Sequence, residues 1–437
     1  MDLETFRWLL TADGQALLEE AGRLDLSDAG RLAALERLRR IAGPARAAAA
    51  YEVAAARRRA AAKFPLAERL YFTREALEQS SGAVVAGYRA GRYAQLGGQG
   101  AAVHVADLCC GAGGDTLAFA AAGMRVTAVD RDPLRLAMAE ANAAAAGLAG
   151  RASFRLADVE RERPPAADAL FFDPSRRSGG RRVFSLADYS PPVSLVRSWR
   201  EATPAIGVKV APGVADEELA PLGVDELEFI SLDGELKEAV LWFGPLAPAR
   251  GRRATLLATA ERSSGGAAPS EAAGDDGRPR SSLLPAFSRA TLFLPTSAQP
   301  PQLDISEPEA YLYEPDPAVI RAHLVAQLGL QLGAAQLDPE IAYLTAARVV
   351  ATPFARCWRV LEWMPFGMKR LRARLRALDA GPVTVKKRGS PLDADALARS
   401  LAGGGARPLV VVLTQVAGRP AALICEGPIA GAEERAE

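Results

Sequence analysis

Residues 103–115, Val-His-Val-Ala-Asp-Leu-Cys-Cys-Gly-Ala-Gly-Gly-Asp, decide how the rest of the chain is read. A short apolar run ends in an acidic residue, Asp107, then passes through a glycine-rich turn into the helix-forming segment Thr-Leu-Ala-Phe-Ala-Ala-Ala. That order is strand, tight loop, helix. Gly111, Gly113 and Gly114 let the backbone turn sharply and let a ligand approach it closely. A second apolar run, Arg-Val-Thr-Ala-Val-Asp, ends at Asp130. A carboxylate at the end of the second strand of such a unit accepts hydrogen bonds from a ribose diol. The fragment reads as a nucleoside-binding half of a doubly wound fold. A dinucleotide fingerprint needs glycine or alanine at its third position, and Thr116 stands there, so that fit fails where helix meets strand. The pattern that does fit is D-x-C-x-G-x-G, carried by Asp107, Cys109, Gly111 and Gly113.

The chain has 437 residues, enough for two or three domains, and its 49% hydrophobic and 24% charged content is that of a globular protein. A net charge of +1 gives no global field toward nucleic acid or membrane, so such binding must come from local patches. Two basic stretches stand out: Arg176, Arg177, Arg181 and Arg182, and the Lys/Arg-rich run in 369–376. Cys109, Cys110, Cys357 and Cys425 form no C-x-x-C pair, and with only two histidines neither a zinc site nor a disulfide framework is expected. The first residues have no basic and apolar leader pattern, and no run of about 18 apolar residues appears. The expectation is a cytoplasmic protein with no membrane and no metal.

Residues 1–62 read as a helical region, with Ser27-Asp28 as a helix cap and a break at Gly43-Pro44. The Ala/Arg-rich segment 47–62 forms a helix readily and has little to bury, so a solvated accessory bundle is expected. Thr73 starts a helix that could run through Tyr88 to Tyr93, with Gln79 and Ser80 as polar site candidates. Strands and helices then alternate, which argues for a parallel sheet. Helix 133–146 follows the second strand; 151–158 is the third, ending at Asp158; Ala169-Leu-Phe-Phe172 is the fourth, ending at Asp173. Ligands bind at the carboxyl ends of such strands, so Asp107, Asp130, Asp158 and Asp173 should converge on one rim. A fifth strand lies at 205–212. Two further strands flank Leu232-Asp233-Gly234, a hairpin signal. The domain expected from this pattern spans 63–250. Residues 251–307 hold two strands around a low-complexity insertion, 258–284, read as a flexible hairpin loop. From 308 to 430 a small mixed sheet with helices on one side is expected, including a basic helix at 368–378 and a strand carrying Lys386, Lys387 and Arg388.

These pieces together resemble a bacterial family of class I methyltransferases with a C-terminal THUMP-like domain. The resemblance rests on Phe72-Thr73 with Gln79-Ser80-Ser81, on Asp107 to Asp115, on Asp173-Pro-Ser-Arg-Arg177 with Gly180-Arg181, on Gly234-Glu-Leu-Lys-Glu-Ala239 and on Val385-Lys-Lys-Arg-Gly389. It covers most of the chain after residue 63. The glycine loop and the Asp-Pro motif also look like those of RNA guanine-N2 methyltransferases. The resemblance implies an α/β, Rossmann-like sheet, parallel with a terminal antiparallel hairpin. It implies an enzyme that uses S-adenosylmethionine (SAM), and a structured RNA, tRNA or rRNA, as partner. Gln79, Ser80, Asp107, Cys109, Gly111, Gly113, Asp115, Asp130 and Asp158 would then hold the cofactor, with Asp158 on the adenine amine.

The amino-methylating pattern has D/N-P-P followed by an aromatic residue that stacks on the base. Here Ser175 replaces the second proline and Arg176 the aromatic. Asp173 can still accept a hydrogen bond from an amine, while stacking would fall to Arg176, Phe184 or Tyr189. The expected catalytic group is Asp173, Pro174, Ser175 and Arg176, with Asp173 orienting the nucleophile and Pro174 fixing the turn. Arg177, Arg181 and Arg182 would pair with RNA phosphates, and Lys386, Lys387 and Arg388 would form a second basic face. The competing classes are a methyltransferase for a small molecule or protein, and a SAM- and RNA-binding protein without catalysis.

Overall fold

Four helices open the chain: α1 (Leu3–Leu9), α2 (Ala12–Arg23), α3 (Arg31–Ala42) and α4 (Pro44–Ala60). The computed structural model describes residues 1–98, 102–175, 177–178, 181–182, 185–259 and 283–429, with the side chains of 177–178 and 181–182 left out. It divides into two compact units. One comprises Met1–Leu227, Glu238–Ala249 and Leu257–Ser288; the other comprises Glu228–Lys237, Arg250–Leu256 and Arg289–Glu437.

Asp2 and Thr11 cap α1 and α2, accepting from the backbone of Thr5 and Gly14. Gly43, at φ 79°, ends α3, and Pro44 opens α4 at the position where a missing N–H costs nothing. The cap expected at Ser27-Asp28 lies too early: α3 starts at Arg31 after Gly30, with no side-chain cap, and Ser27 Oγ accepts from Gly30 N and donates to Asp25 Oδ2 in the preceding turn. The solvated bundle is also overturned. Ala47, Ala50, Val53 and Ala60 of α4 are fully buried, in one core with Phe64, Phe72, Leu117, Met138 and Ala143. Alanine gains little area individually, but its small side chain lets helices close to van der Waals distance, so an Ala-rich face serves as a packing surface.

The long helix expected from Thr73 is two helices. Thr73 caps α5 (Arg74–Gln79), the chain breaks at Ser80, and α6 (Ala83–Ala94) follows. Beyond it come β1 (His104–Leu108), α7 (Gly114–Ala121), β2 (Arg125–Asp130), α8 (Pro133–Ala145), β3 (Ala152–Leu156) and β4 (Ala169–Phe172). A two-residue ladder, β5 (Arg177–Ser178) with β6 (Arg181–Arg182), precedes α9 (Val196–Trp199), β7 (Ile206–Val210) and α10 (Asp216–Leu219). Then come β8 (Glu226–Leu232), β9 (Glu235–Phe243), β10 (Gly251–Thr259) and β11 (Phe287–Pro295). Asp233 and Gly234 both have positive φ, as a tight two-residue hairpin between β8 and β9 requires. The sheet order is β11-β10-β8-β9-β7-β4-β1-β2-β3. β3, β2, β1, β4 and β7 run parallel, and β9 inserts antiparallel beside β7.

Register places the charged residues. Asp107 pairs with Ala128 and Phe171, Phe171 with Gly207, and Gly207 with Trp242. Side chains alternate along a strand, so steps of two bring Asp130, Asp173, Lys209 and Glu238 onto the face that carries Asp107. Because β9 runs backwards, its beginning, where Glu238 lies, falls at the carboxyl ends of the parallel strands.

The second unit holds a seven-stranded mixed sheet. Its strands are β12 (Tyr311–Pro315), β13 (Ala335–Asp338), β14 (Ile341–Ala346), β15 (Ala355–Pro365), β16 (Ala380–Lys387), β17 (Arg407–Val416) and β18 (Arg419–Ile429). The order is β13-β14-β12-β15-β18-β17-β16, with only β16 and β17 parallel among the registered pairs. Helices α11 (Pro317–Arg321), α12 (Val325–Leu332), α13 (Met368–Ala377) and α14 (Ala394–Leu401) complete it. Leu371, Leu375, Leu397 and Leu401 pack from α13 and α14 onto Leu409, Val411 and Leu413, while Val410 and Val412 face the other side with Tyr343 and Trp358. β13 and β14 have no counterpart in the sequence reading.

Candidate active site

The glycine loop is held from three sides. Cys110 N donates to Val129 O, Gly111 N donates to Asp130 Oδ2 at 2.9 Å, and Asn142 Nδ2 donates to Ala112 O at 2.9 Å. Asn142, fully buried on α8, also exchanges two hydrogen bonds with the backbone of Tyr71, so one amide ties the loop to the segment before α5. Cys109 takes φ 61° and Gly113 φ 85°. Gly113 suits its left-handed φ, and a Cβ there would lie 3.0 Å from Ala139, a tight approach that adds to the strain of any substitution. A Cβ on Gly111 would meet nothing within 4 Å, which leaves open space beside that part of the loop.

Asp107 is buried at the end of β1. Its Oδ2 accepts from Thr116 Oγ1 at 2.5 Å, while Oδ1 has no partner among the described residues. Burial, followed by the neighbouring Asp115 and Asp173, holds its carboxyl well above the usual range, against the Thr116 hydrogen bond. Asp130 uses Oδ2 for Gly111 and Oδ1 for Asp132 N, and burial raises its pKa despite those donors. Burial, then nearby carboxylates, also pushes the Cys109 and Cys110 thiols up, so neither is poised as a thiolate. Asp158 follows β3, beside the end of β2, where Ala157 N donates to Asp130 O; its carboxylate accepts from Glu160 N.

Asp115 points inward, in an ion pair with Arg89 of α6, and Arg89 also pairs with Glu238. All three are buried. Burial works against the guanidinium charge, but the two carboxylates hold Arg89 protonated above its ordinary range. Its Cζ stands 5.1 Å from the centre of the Phe171 ring, two residues before Asp173. Asp173 Oδ2 accepts from Lys209 Nζ at 2.6 Å. Pro174 is buried, and Ser175 exchanges backbone hydrogen bonds with Ser190. Tyr189 is 2% exposed and its hydroxyl accepts from Ala211 N, so its ring serves the core and is not free to stack. Arg176 and Phe184 lie outside the described residues, as do the side chains of Arg177, Arg181 and Arg182.

Gln79 donates to Glu75 on its own helix, and Ser80 donates to Ala76 O as it closes α5. Their neighbour Ser81 is closer to the loop: its carbonyl lies 3.3 Å from a Cβ built on Gly114, and its buried hydroxyl has no partner among the described residues. Lys386 Nζ donates to Glu314 at 2.7 Å, Arg388 pairs with the same carboxylate at 3.7 Å, and Lys387 donates to Leu392 O. Arg89, Asn142 and Lys209 join the candidate site without having been singled out by sequence reasoning, and Glu238 was quoted within Gly234–Ala239 but given no role. The available signal was Lys209 itself, a lone charge inside Ile-Gly-Val-Lys-Val. Among the described residues no acidic, histidine or cysteine group could hold a metal ion, and no helix is long and apolar enough to cross a membrane.

The loop fits SAM. Asp107 has an orphaned buried acceptor, Ser81 beside Gly114 has an orphaned hydroxyl, Gly111 has open space beside it, and an acidic residue lies at the end of each of the first two strands. These suit an ammonium group and a ribose diol. A methyltransferase-domain model matches residues 105–173, a THUMP domain-like model matches 355–427, and a domain of unknown function matches 2–60. Two Mycobacterium tuberculosis proteins, from strains CDC 1551 and H37Rv, are each 38% identical over 349 residues, 79% of this chain and 84% of theirs. Both are named as S-adenosylmethionine-dependent methyltransferases. A 23S rRNA (uracil(1939)-C(5))-methyltransferase from Acidithiobacillus ferrooxidans is 38% identical over 79 residues, 17% of this chain and 18% of its own. The crystal structure of a candidate methyltransferase from Porphyromonas gingivalis W83 matches at TM-score 0.68 and 19% identity, over 95% of this chain and 99% of that one, and so shares the fold. The chain belongs to the S-adenosylmethionine-dependent methyltransferases.

Proposed function

We propose that this methyltransferase modifies a base of a structured RNA, tRNA or rRNA. The observation that carries the reading is the free basic face of the THUMP-like unit. Lys369, Arg370, Arg372 and Arg376 of α13 are exposed, and of the basic residues on that helix only Arg374 has an ion-pair partner, Glu362, among the described residues. Lys386 and Arg388 already hold Glu314. Guanidinium groups on one helix face suit a phosphate backbone. The relative that acts on 23S rRNA supports the same substrate class.

Bound SAM supplies an activated methyl group on a sulfonium. In this reading Gly111, Gly113, Asp107, Asp130 and Asp158 hold it, with Cys109, Gln79 and Ser80 around the loop and Asp115 supporting it through Arg89. Asp173 orients the acceptor and Pro174 fixes its turn, with Ser175 and Arg176 completing the motif. Arg177, Arg181 and Arg182 contact phosphates near the target. The adjacent free thiols of Cys109 and Cys110 suit the reducing cytoplasm as its place of work. The test is transfer of labelled methyl from SAM to total RNA from a strain lacking the protein, followed by nucleoside analysis. A single labelled nucleoside is expected. Label absent from RNA and present in protein or small molecules would replace the substrate class.

A further inference from the structure

Lys209 is an unusual residue for its position. It lies in a strand whose other members are buried, is itself 8% exposed, and faces the rim of the sheet. Register puts its Cα opposite Val240, so Glu238, two residues on, shares its face. Burial holds the Glu238 carboxyl above its ordinary range, and the charges of Arg89 and then Lys209 work against that rise. Among the described residues its ammonium donates only to Asp173, the residue that faces the acceptor in the proposed function. A strand interior that excludes water keeps an ammonium only at a cost. That cost falls at the end of β4, where the proposed function places methyl transfer.

The chemistry of the acceptor follows from the sign of that charge. Methylating a neutral exocyclic amine builds positive charge on nitrogen, and the favourable surroundings are hydrogen-bond acceptors alone. An ammonium 2.6 Å from the orienting carboxylate opposes that charge. It favours an acceptor that reacts as an anion. The motif agrees, since Ser175 and Arg176 stand where an amine-methylating site has proline and an aromatic residue.

We propose that Lys209 and Asp173 act as a pair on an acceptor that gives up a proton as it is methylated: the lactam N–H of a base or a hydroxyl group. Asp173 Oδ2 is held by Lys209, which leaves Oδ1 to take the proton, while the ammonium balances the charge left on the acceptor. The acceptor's freed electron pair forms the bond to the methyl carbon, and sulfur keeps the pair of the bond that breaks, leaving a neutral thioether. The inference rests on Asp173 facing the acceptor, as in the proposed function, and it names the atom class that the function leaves open.

The test uses the full-length protein with labelled SAM and a whole extract, containing RNA, protein and small molecules, from a strain lacking it. The fraction that carries label tests the RNA reading; the atom that carries it tests this inference. Methyl on a lactam nitrogen or on an oxygen is expected, and nucleoside analysis separates base from ribose. Methyl on an exocyclic or side-chain amine overturns the inference, whichever fraction holds it. Lys209→Met should lower kcat roughly 100-fold near neutrality, recover as pH rises toward the acceptor's own ionisation, and leave SAM affinity within about threefold. Lys209→Arg, which keeps the cation, should retain more activity than Lys209→Met. A uniform loss at every pH, equal in both variants, would show a structural role. A readout independent of turnover is the Asp173 carboxyl followed by NMR. Asp107 and Cys109 also face Asp173, and Glu238 lies beyond Lys209. Lys209→Met removes the hydrogen-bond donor to Asp173 Oδ2 and should shift the Asp173 carboxyl signal at a fixed, neutral pH. An unchanged signal would overturn the pairing even in a protein that labels nothing.

Discussion

Two clusters of charge lie on the two sheets, and they are built differently. On the second unit's sheet, Lys386 and Arg388 share Glu314, and the Lys386 ammonium and Arg388 guanidinium lie over the rings of Trp358 and Tyr343. Each of these three charges has a partner and both cations sit on aromatic faces, which is how basic residues serve packing. At the rim of the first unit's sheet, Asp107, Asp115, Asp130, Asp173 and Glu238 meet Arg89 and Lys209. Carboxylates outnumber cations, and Asp107 Oδ1 and Arg89 Nε are buried without partners among the described residues. An incompletely satisfied polar cluster costs free energy, and a ligand that supplied the missing partners would recover it. The comparison separates charge that builds from charge that waits.

The sharpest way to break that distinction is Arg89→Met. It leaves two buried carboxylates without their cation and should cost about 3–5 kcal/mol, read by denaturant unfolding. Adding Asp115→Asn and Glu238→Gln should restore most of the loss. A single variant as stable as the wild type would mean that the triad is not closed in solution. Asp173→Ala comes next. It should lower kcat by roughly 100- to 1,000-fold while leaving the dissociation constant for SAM nearly unchanged. Loss of SAM binding instead would make Asp173 a cofactor ligand.

The two clusters also differ in how far the sequence discloses them. β1, the glycine loop, α7 and β2 are consecutive, so local chemistry from Asp107 to Asp130 spells out one half of the site. Asp173 is legible because it closes an apolar run. Lys209 reaches the rim through the parallel pairing of β7 with β4, and Glu238 through the antiparallel pairing of β9 with β7, non-local registers that no short window contains. Arg89 reads as an ordinary surface arginine of an amphipathic helix until its two carboxylates arrive from Asp115 and Glu238. α4 misleads for a different reason: its alanines mark a close-packing face without a strong apolar stripe. Likewise, Val385-Lys-Lys-Arg-Gly389 reads as a basic patch because Glu314, which neutralises it, lies far away in sequence.

Asp107 sharpens the comparison through pH. Its folded carboxyl is held above the ordinary value of 3.8, so the native state binds its proton more tightly than the unfolded chain does. That contribution to stability is complete below the unfolded value and is lost as pH rises through the raised one. Asp107→Asn keeps the shape of the protonated form and cannot ionise. The gap in melting temperature between Asp107→Asn and wild type should therefore widen in favour of the variant as pH climbs above the ordinary carboxylate range, then level off. SAM affinity should fall about tenfold, because the unpartnered acceptor is gone. Parallel melting curves across pH would show Asp107 ionising normally.

The smallest effect tests the paired cluster. Glu314→Gln removes the one carboxylate that holds Lys386 and Arg388, at a cost of about 1 kcal/mol, because each ion pair is partly exposed. The same substitution frees two cations on the unit proposed to meet RNA. If free charge is what the unit offers a phosphate backbone, the slope of log affinity against log salt should steepen by about one for each freed cation that reaches a phosphate. Replacing Lys369, Arg370, Arg372 and Arg376 with alanine should flatten that slope, whereas Lys386→Ala with Arg388→Ala should leave it nearly as it was. The reverse order, with the paired residues governing the slope and α13 silent, would mean that Glu314 yields to RNA and that pairing in the free protein is a poor guide to what a basic residue does.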